Sequence, residues 1–178
     1  IPGEDDLIGV NVHFCATCDG AFYKEKKVLV IGGGNSGFEE GLFLTKFASQ
    51  VDIVEFAEKA KASKVLQDKV AGKKNMSVML NHAVKELRVK NGKLDAVIVE
   101  DRSSGEQKEW QYDGIFVFIG LSPNSDLLKG KAEIDNWGFA VTDKTLMTSL
   151  PGVFAAGDVR AGSTKQAASA AGEGATVA

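Results

Sequence analysis

The run Lys27-Val28-Leu29-Val30-Ile31 passes directly into Gly32-Gly33-Gly34-Asn35-Ser36-Gly37, a G-x-G-x-x-G pattern. Few folds accept that join. An unbroken apolar run suits a strand buried on both faces, as in a parallel sheet. The first glycine then permits a tight turn, the second lets backbone approach a pyrophosphate, and the third lets the following helix pack close to the strand. The helix start adds free N–H groups and a partial positive charge. Residues 36–49 predict that helix, with Phe38, Leu42, Phe43 and Phe47 near one face. Val51-Asp52-Ile53-Val54-Glu55 predicts a second strand. The order is a βαβ unit, and Gly32, Gly33, Gly34, Asn35, Ser36 and Gly37 form the candidate seat of a dinucleotide. A glycine turn of purely structural use explains neither flank.

Glu55 closes the second strand 23 residues after Gly32. An acid there accepts from ribose hydroxyls and repels a 2′-phosphate, so NADH is expected in preference to NADPH. Lys59, Lys61 and Lys64 follow just beyond and are the opposing signal. Lys59 to Val70 otherwise reads as a solvated helix.

The only two cysteines form one C-x-x-C, Cys15-Ala16-Thr17-Cys18, with Asp19 next in the chain. Zinc would need further ligands, and only His13 and His82 are on offer. A buried structural pair is the other alternative. Redox chemistry is the leading reading: the spacing suits a small disulfide, and Asp19 can give or take a proton beside it. Both histidines are expected in surface or packing roles. A thiol does not take hydride cleanly from a nicotinamide, so the two motifs together imply an intermediary, a flavin.

Val84 to Lys90, Asn91-Gly92 and Lys93 to Glu100 predict a hairpin, and Gln107 to Tyr112 a third antiparallel strand. Ile115 to Ile119 reads as a buried strand, and Gly152 to Asp158 as another. Gly157 and Asp158 would then sit at a strand end, where a carboxylate can accept from a flavin's ribityl or ribose hydroxyls. Thr164 to Ala178 predicts a helix whose start, near Lys165, Gln166 and Ala167, would turn N–H groups toward the isoalloxazine.

Net charge is −3, with Lys+Arg 21 against Asp+Glu 24, which gives no support to a nucleic-acid or membrane-surface partner. No apolar run approaches the roughly 18 residues of a membrane helix. A lone C-x-x-C, rather than a spaced set of cysteines, points to the cytoplasm.

Cys-Ala-Thr-Cys-Asp-Gly, Gly-Gly-Gly-Asn-Ser-Gly, Gly-Val-Phe-Ala-Ala-Gly-Asp and Lys-Gln-Ala, in that order, resemble the low-molecular-weight thioredoxin reductases. The resemblance implies an α/β fold: a Rossmann-like, three-layer nucleotide domain with an antiparallel β-meander, plus the C-terminal segment of an FAD-binding domain. It implies that Cys15 attacks a partner disulfide, that Cys18 faces the flavin and that Asp19 supplies protons. Gly32 to Gly37 would hold NAD(P)H, and Asp158, Gln166 and Ala167 would touch FAD. The expected boundaries are a linker over 1–9, an NAD(P)H domain over 10–119 and an FAD-domain segment over 120–178, with the family's first FAD fingerprint absent. The arginine-rich stretch of NADPH-using members is replaced by Glu55-Phe56-Ala57-Glu58-Lys59-Ala60-Lys61, which is more similar to the flavoprotein subunit of alkyl hydroperoxide reductase. The partner implied is thus a thioredoxin-like or a peroxiredoxin-system disulfide, and the full-length protein a homodimer. A flavin-free nucleotide-binding or redox-sensing module is the rival from another class.

Overall fold

The computed structural model describes residues 1–178, which divide into two compact units, Ile1–Ile119 and Gly120–Ala178.

In the first unit, five parallel strands form one sheet in the order β1-β8-β2-β3-β4. They are β1 (Val12–His13), β2 (Lys27–Ile31), β3 (Gln50–Val54), β4 (Met76–Met79) and β8 (Gly114–Val117). Strand alternation splits the core in two. Val28, Val30, Val51, Ile53 and Phe116 face helix α2 (Asn35–Leu44) and helix α3 (Lys64–Ala71), where Phe38, Leu44, Leu66 and Val70 are buried. Leu29, Ile31, Val54, Ile115 and Val117 face the opposite way. There they meet Leu87, Val97 and Val99 of an antiparallel meander: β5 (His82–Lys90), β6 (Lys93–Asp101) and β7 (Gln107–Trp110). The three layers are helices, parallel sheet and antiparallel sheet, an α/β Rossmann-like fold. Asn91 and Gly92, at φ 53° and 70°, make the two-residue turn of the predicted hairpin.

Residues 1–9 lie in this unit. Leu7 is fully buried, and Pro2 accepts the N–H of Leu87. Strand β4 carries no clear sequence signal, because Met76-Ser77-Val78-Met79 is short and only Met76 is buried. Helix α3 begins at Lys64 rather than Lys59, since Lys61 and Ala62 give their N–H groups to Gly33 instead of a helical turn.

The second unit has one helix, α4 (Ala167–Val177), and a small core of Leu128, Ala140 and Ala155. Gly152 to Asp158 is not the expected strand. Met147 and Phe154 make an isolated bridge, and Gly157–Val159 is a 3-10 turn. With isolated bridges in place of a ladder, an apolar run there cannot hold a pleat, and Phe154 is left exposed. Glu173 of α4 ties the turn down, accepting the Gly157 N–H at 2.7 Å and pairing with Arg160.

Candidate functional site

The carboxyl ends of β1, β2 and β3 carry the three sequence motifs in turn. β2 leads into the glycine turn. Gly32 has φ +118°, and a Cβ on it would meet the Phe118 carbonyl oxygen at 2.4 Å. A Cβ on Gly37 would lie 1.9 Å from the Gly32 oxygen, so only glycine lets α2 start this close to the strand. A Cβ on Gly33 would strike Glu55, whereas Gly34 faces open space. Gly34 caps α2 with no side-chain oxygen, and Asn35 and Ser36 are exposed. The first-turn N–H groups therefore face a surface that a pyrophosphate can reach.

Glu55 does something the sequence did not announce. It is 9% exposed, and its two carboxylate oxygens accept the Gly33 N–H at 2.5 Å and the Ala57 N–H at 2.9 Å. The acid braces the glycine loop from beneath. Asn35 braces it from the other side, its Oδ1 accepting the Ser63 N–H at 2.8 Å. Beside Glu55, Phe56 is exposed, and the Arg102 guanidinium lies over its ring at 3.7 Å. Arg102 also donates to the Phe56 carbonyl and to Asn81 Oδ1. This cation comes from the β6–β7 turn, far along the chain, so no local pattern could reveal it.

Beyond β1, Cys15 and Cys18 form a disulfide, with Cα atoms 5.3 Å apart. Cys15 is the N-cap of the short helix α1 (Ala16–Asp19), and its Sγ accepts the Cys18 N–H at 3.1 Å. Cys15 is half-buried and Cys18 exposed, so the pair is not a buried structural one. Glu40 of α2 accepts the Ala16 N–H at 3.1 Å and anchors the turn. Asp19 Oδ2 lies 3.3 Å from His13 Nδ1, and His13 Nε2 lies 2.7 Å from the Tyr23 hydroxyl. His13 is thus part of this cluster rather than an isolated packing residue; strand β1 turns it inward, two residues before Cys15. Burial, with Asp19 and Asp113 nearby, pushes the Tyr23 hydroxyl up to about 12. His82 stays a packing residue, tilted against Trp110.

In the second unit Asp158 is exposed on the Gly157–Val159 turn, and Gln166 and Ala167 are exposed at the start of α4. Lys165 is committed internally. Its Nζ donates to the Asp158 and Arg160 carbonyls and lies over the Phe139 ring at 4.0 Å.

The family profile "Pyridine nucleotide-disulphide oxidoreductase" matches residues 1–174. The chain is 40% identical over 174 residues to the thioredoxin reductase of Bacillus subtilis (strain 168), covering 98% of this chain and 55% of that protein. It is 40% identical over 183 residues to the thioredoxin reductase of Peptoclostridium litorale, covering 99% and 58%. Among solved structures, the thioredoxin reductase of Streptococcus pyogenes MGAS5005 superposes with a TM-score of 0.91 at 34% identity, over 99% of this chain and 58% of that one. The T. acidophilum thioredoxin reductase gives 0.75 at 35% identity, over the same shares. The chain thus spans little more than half the length of the curated relatives it matches.

Proposed function

The chain belongs to the pyridine nucleotide-disulphide oxidoreductase family, and on that premise we propose that it is the nucleotide-binding and disulfide-bearing part of a thioredoxin-reductase-like flavoenzyme. One observation carries the reading: a disulfide whose Cys18 is exposed, followed in the chain by Asp19, is tied through Glu40 to the helix that opens on a glycine cradle.

The cradle fits a dinucleotide. Side chains are shut out at Gly32, Gly33 and Gly37 by backbone or by Glu55, while the face at Gly34 stays open. In this reading Gly32 to Gly37 hold the pyrophosphate of NAD(P)H, and the fixed charge of Glu55 favours NADH. The exposed Asp158 carboxylate and the free start of α4 fit one edge of FAD, with Gln166 and Ala167 against it. Lys165 supports that edge from within. Bound FAD supplies two-electron traffic between a nicotinamide and a disulfide. Cys15 then exchanges with the partner disulfide, Cys18 is the sulfur that receives electrons, and Asp19 passes the proton that a departing thiolate takes. The partner is a thioredoxin-like protein, with a peroxiredoxin-system disulfide as the second choice because the stretch after Glu55 carries no arginine. The assembly is a homodimer of the full-length protein in the cytoplasm; no helix here is long and apolar enough to cross a membrane.

The test is a visible spectrum of the protein carrying this chain, followed by turnover with NADH or NADPH and thioredoxin. Flavin bands and NADH-driven thioredoxin reduction are expected. A colourless protein that binds NADH and reduces no disulfide makes it a flavin-free module. A strong preference for NADPH overturns the assignment of the donor.

A further inference from the structure

We infer that His13 and Tyr23 form a buried proton-supply line to Asp19, leading from a solvent cleft to the disulfide. The inference rests on the reductase reading for its electron source. The cleft holds about 410 Å³, and Tyr23, Val10, Tyr112 and Asp113 line it, with Lys26 and Lys93. From its wall the Tyr23 hydroxyl reaches His13 Nε2 at 2.7 Å, and Nδ1 on the far side of the ring reaches Asp19 Oδ2 at 3.3 Å. His13 is 7% exposed, and its ring packs against Tyr23 and Phe116, each at 5.3 Å. Here Nε2 is hydrogen-bonded to the Tyr23 hydroxyl and Nδ1 faces the Asp19 carboxyl group, so each nitrogen meets a group that can pass a proton.

The phenol has one hydrogen and two acceptors in reach. The 2.7 Å contact takes it first, which leaves the imidazole hydrogen on Nδ1, the nitrogen 3.3 Å from Asp19 Oδ2. The second acceptor, the Val10 carbonyl at 3.4 Å, receives the hydroxyl once the proton has moved on. Two-electron reduction of the S–S bond, with the electrons that a bound flavin would supply, leaves two thiolates that need two protons. One would arrive with the electrons, and the second comes down the line. Nδ1–H passes through the Asp19 carboxylate to sulfur, Tyr23 gives its proton to Nε2, and cleft water restores the phenol. The disulfide becomes two thiols, and His13 ends in its other tautomer. The Asp19 side chain is 31% exposed, while His13 and Tyr23 are buried, so the line reaches Asp19 from the protein interior. Asp113 and Lys26 also face the line on the Tyr23 side, and Lys93 lines the cleft at its outer end.

Tyr23→Phe keeps the ring and removes the hydroxyl. In this chain alone, nitrogen-15 NMR of oxidised wild type is expected to show His13 protonated at Nδ1, and Tyr23→Phe to lose that preference. In the flavin-loaded protein, rapid mixing with NADH is expected to show disulfide reduction slowed about tenfold in Tyr23→Phe and in His13→Gln, with flavin reduction unchanged. An Nε2–H tautomer in oxidised wild type, or an unchanged rate in Tyr23→Phe, overturns the line. If wild type passes no electrons to the disulfide, the reductase reading fails instead, and the tautomer still decides this one.

Discussion

The Glu40 carboxylate accepts the N–H of Ala16 at 3.1 Å, so one helix both opens on the glycine cradle and pins the cysteine turn. Ala16 is fully buried, and an amide stranded there costs about 1–3 kcal/mol. Glu40→Ala is expected to lower the denaturant midpoint accordingly and to let dithiothreitol open the disulfide faster. Glu40→Gln keeps an acceptor oxygen and should recover most of both. Identical midpoints in all three proteins would refute the anchor.

Glycine positions in the cradle separate folding from binding. Gly37→Ala drives a methyl against the Gly32 oxygen and is expected to cost about 2 kcal/mol or more in stability. Gly34→Ala meets nothing, so the fold should keep its melting temperature while NADH affinity falls about tenfold. Calorimetric titration beside thermal melts reads both; unchanged affinity in Gly34→Ala removes the pyrophosphate from that face.

Glu55→Gln removes the charge but keeps the shape. The ratio of KM for NADPH to KM for NADH is expected to fall about tenfold, aided by the Arg102 guanidinium beside Phe56. A ratio that does not move would leave Glu55 as a loop brace and nothing more.

Asp52 makes the first unit acid-sensitive. Burial alone would raise its carboxyl, but hydrogen bonds from Ser77, Gln50 and Tyr112, with Lys27 nearby, outweigh burial and hold it below the usual range. Its stabilisation is therefore present above the unfolded value of about 3.9 and is lost as pH falls through the lower folded value. Urea midpoints taken down to about pH 2 should drop less steeply in Asp52→Asn than in wild type.

On the alkaline side Tyr23 contributes beside Tyr112, whose hydroxyl burial and Asp52 push up further still. The folded value of about 12 for Tyr23 exceeds the unfolded one, so stability is complete below about pH 10 and declines as pH climbs toward the folded value. Tyr23→Phe should flatten that decline in part, leaving the share of Tyr112. Gly114→Ala, whose methyl would fall 2.1 Å from the Tyr23 ring, should destabilise the protein at every pH.

Strand β2, the glycine turn, α2 and the hairpin were legible because each rests on neighbours in sequence: apolar alternation, a glycine at each forced φ, and Asn91-Gly92. Strand β4 was not, since four residues at a sheet edge carry too little period. Gly152 to Asp158 was misread because an apolar run states that something is buried without stating what pairs with it. In the site, the cysteines and glycines announced themselves. The partners that give them chemical character did not: His13 for Asp19, Glu40 for Ala16 and Arg102 for Phe56 are set by the meeting of distant elements.

Strand order has one more consequence. The cysteine turn follows β1 and the glycine cradle follows β2, and β8 lies hydrogen-bonded between them. Two strand spacings put the stations roughly 10 Å apart along one edge. A hydrogen-bonded slab does not stretch, so the separation is a ruler built into the molecule. Any carrier serving both ends must travel that length, and no side-chain motion will shorten the trip.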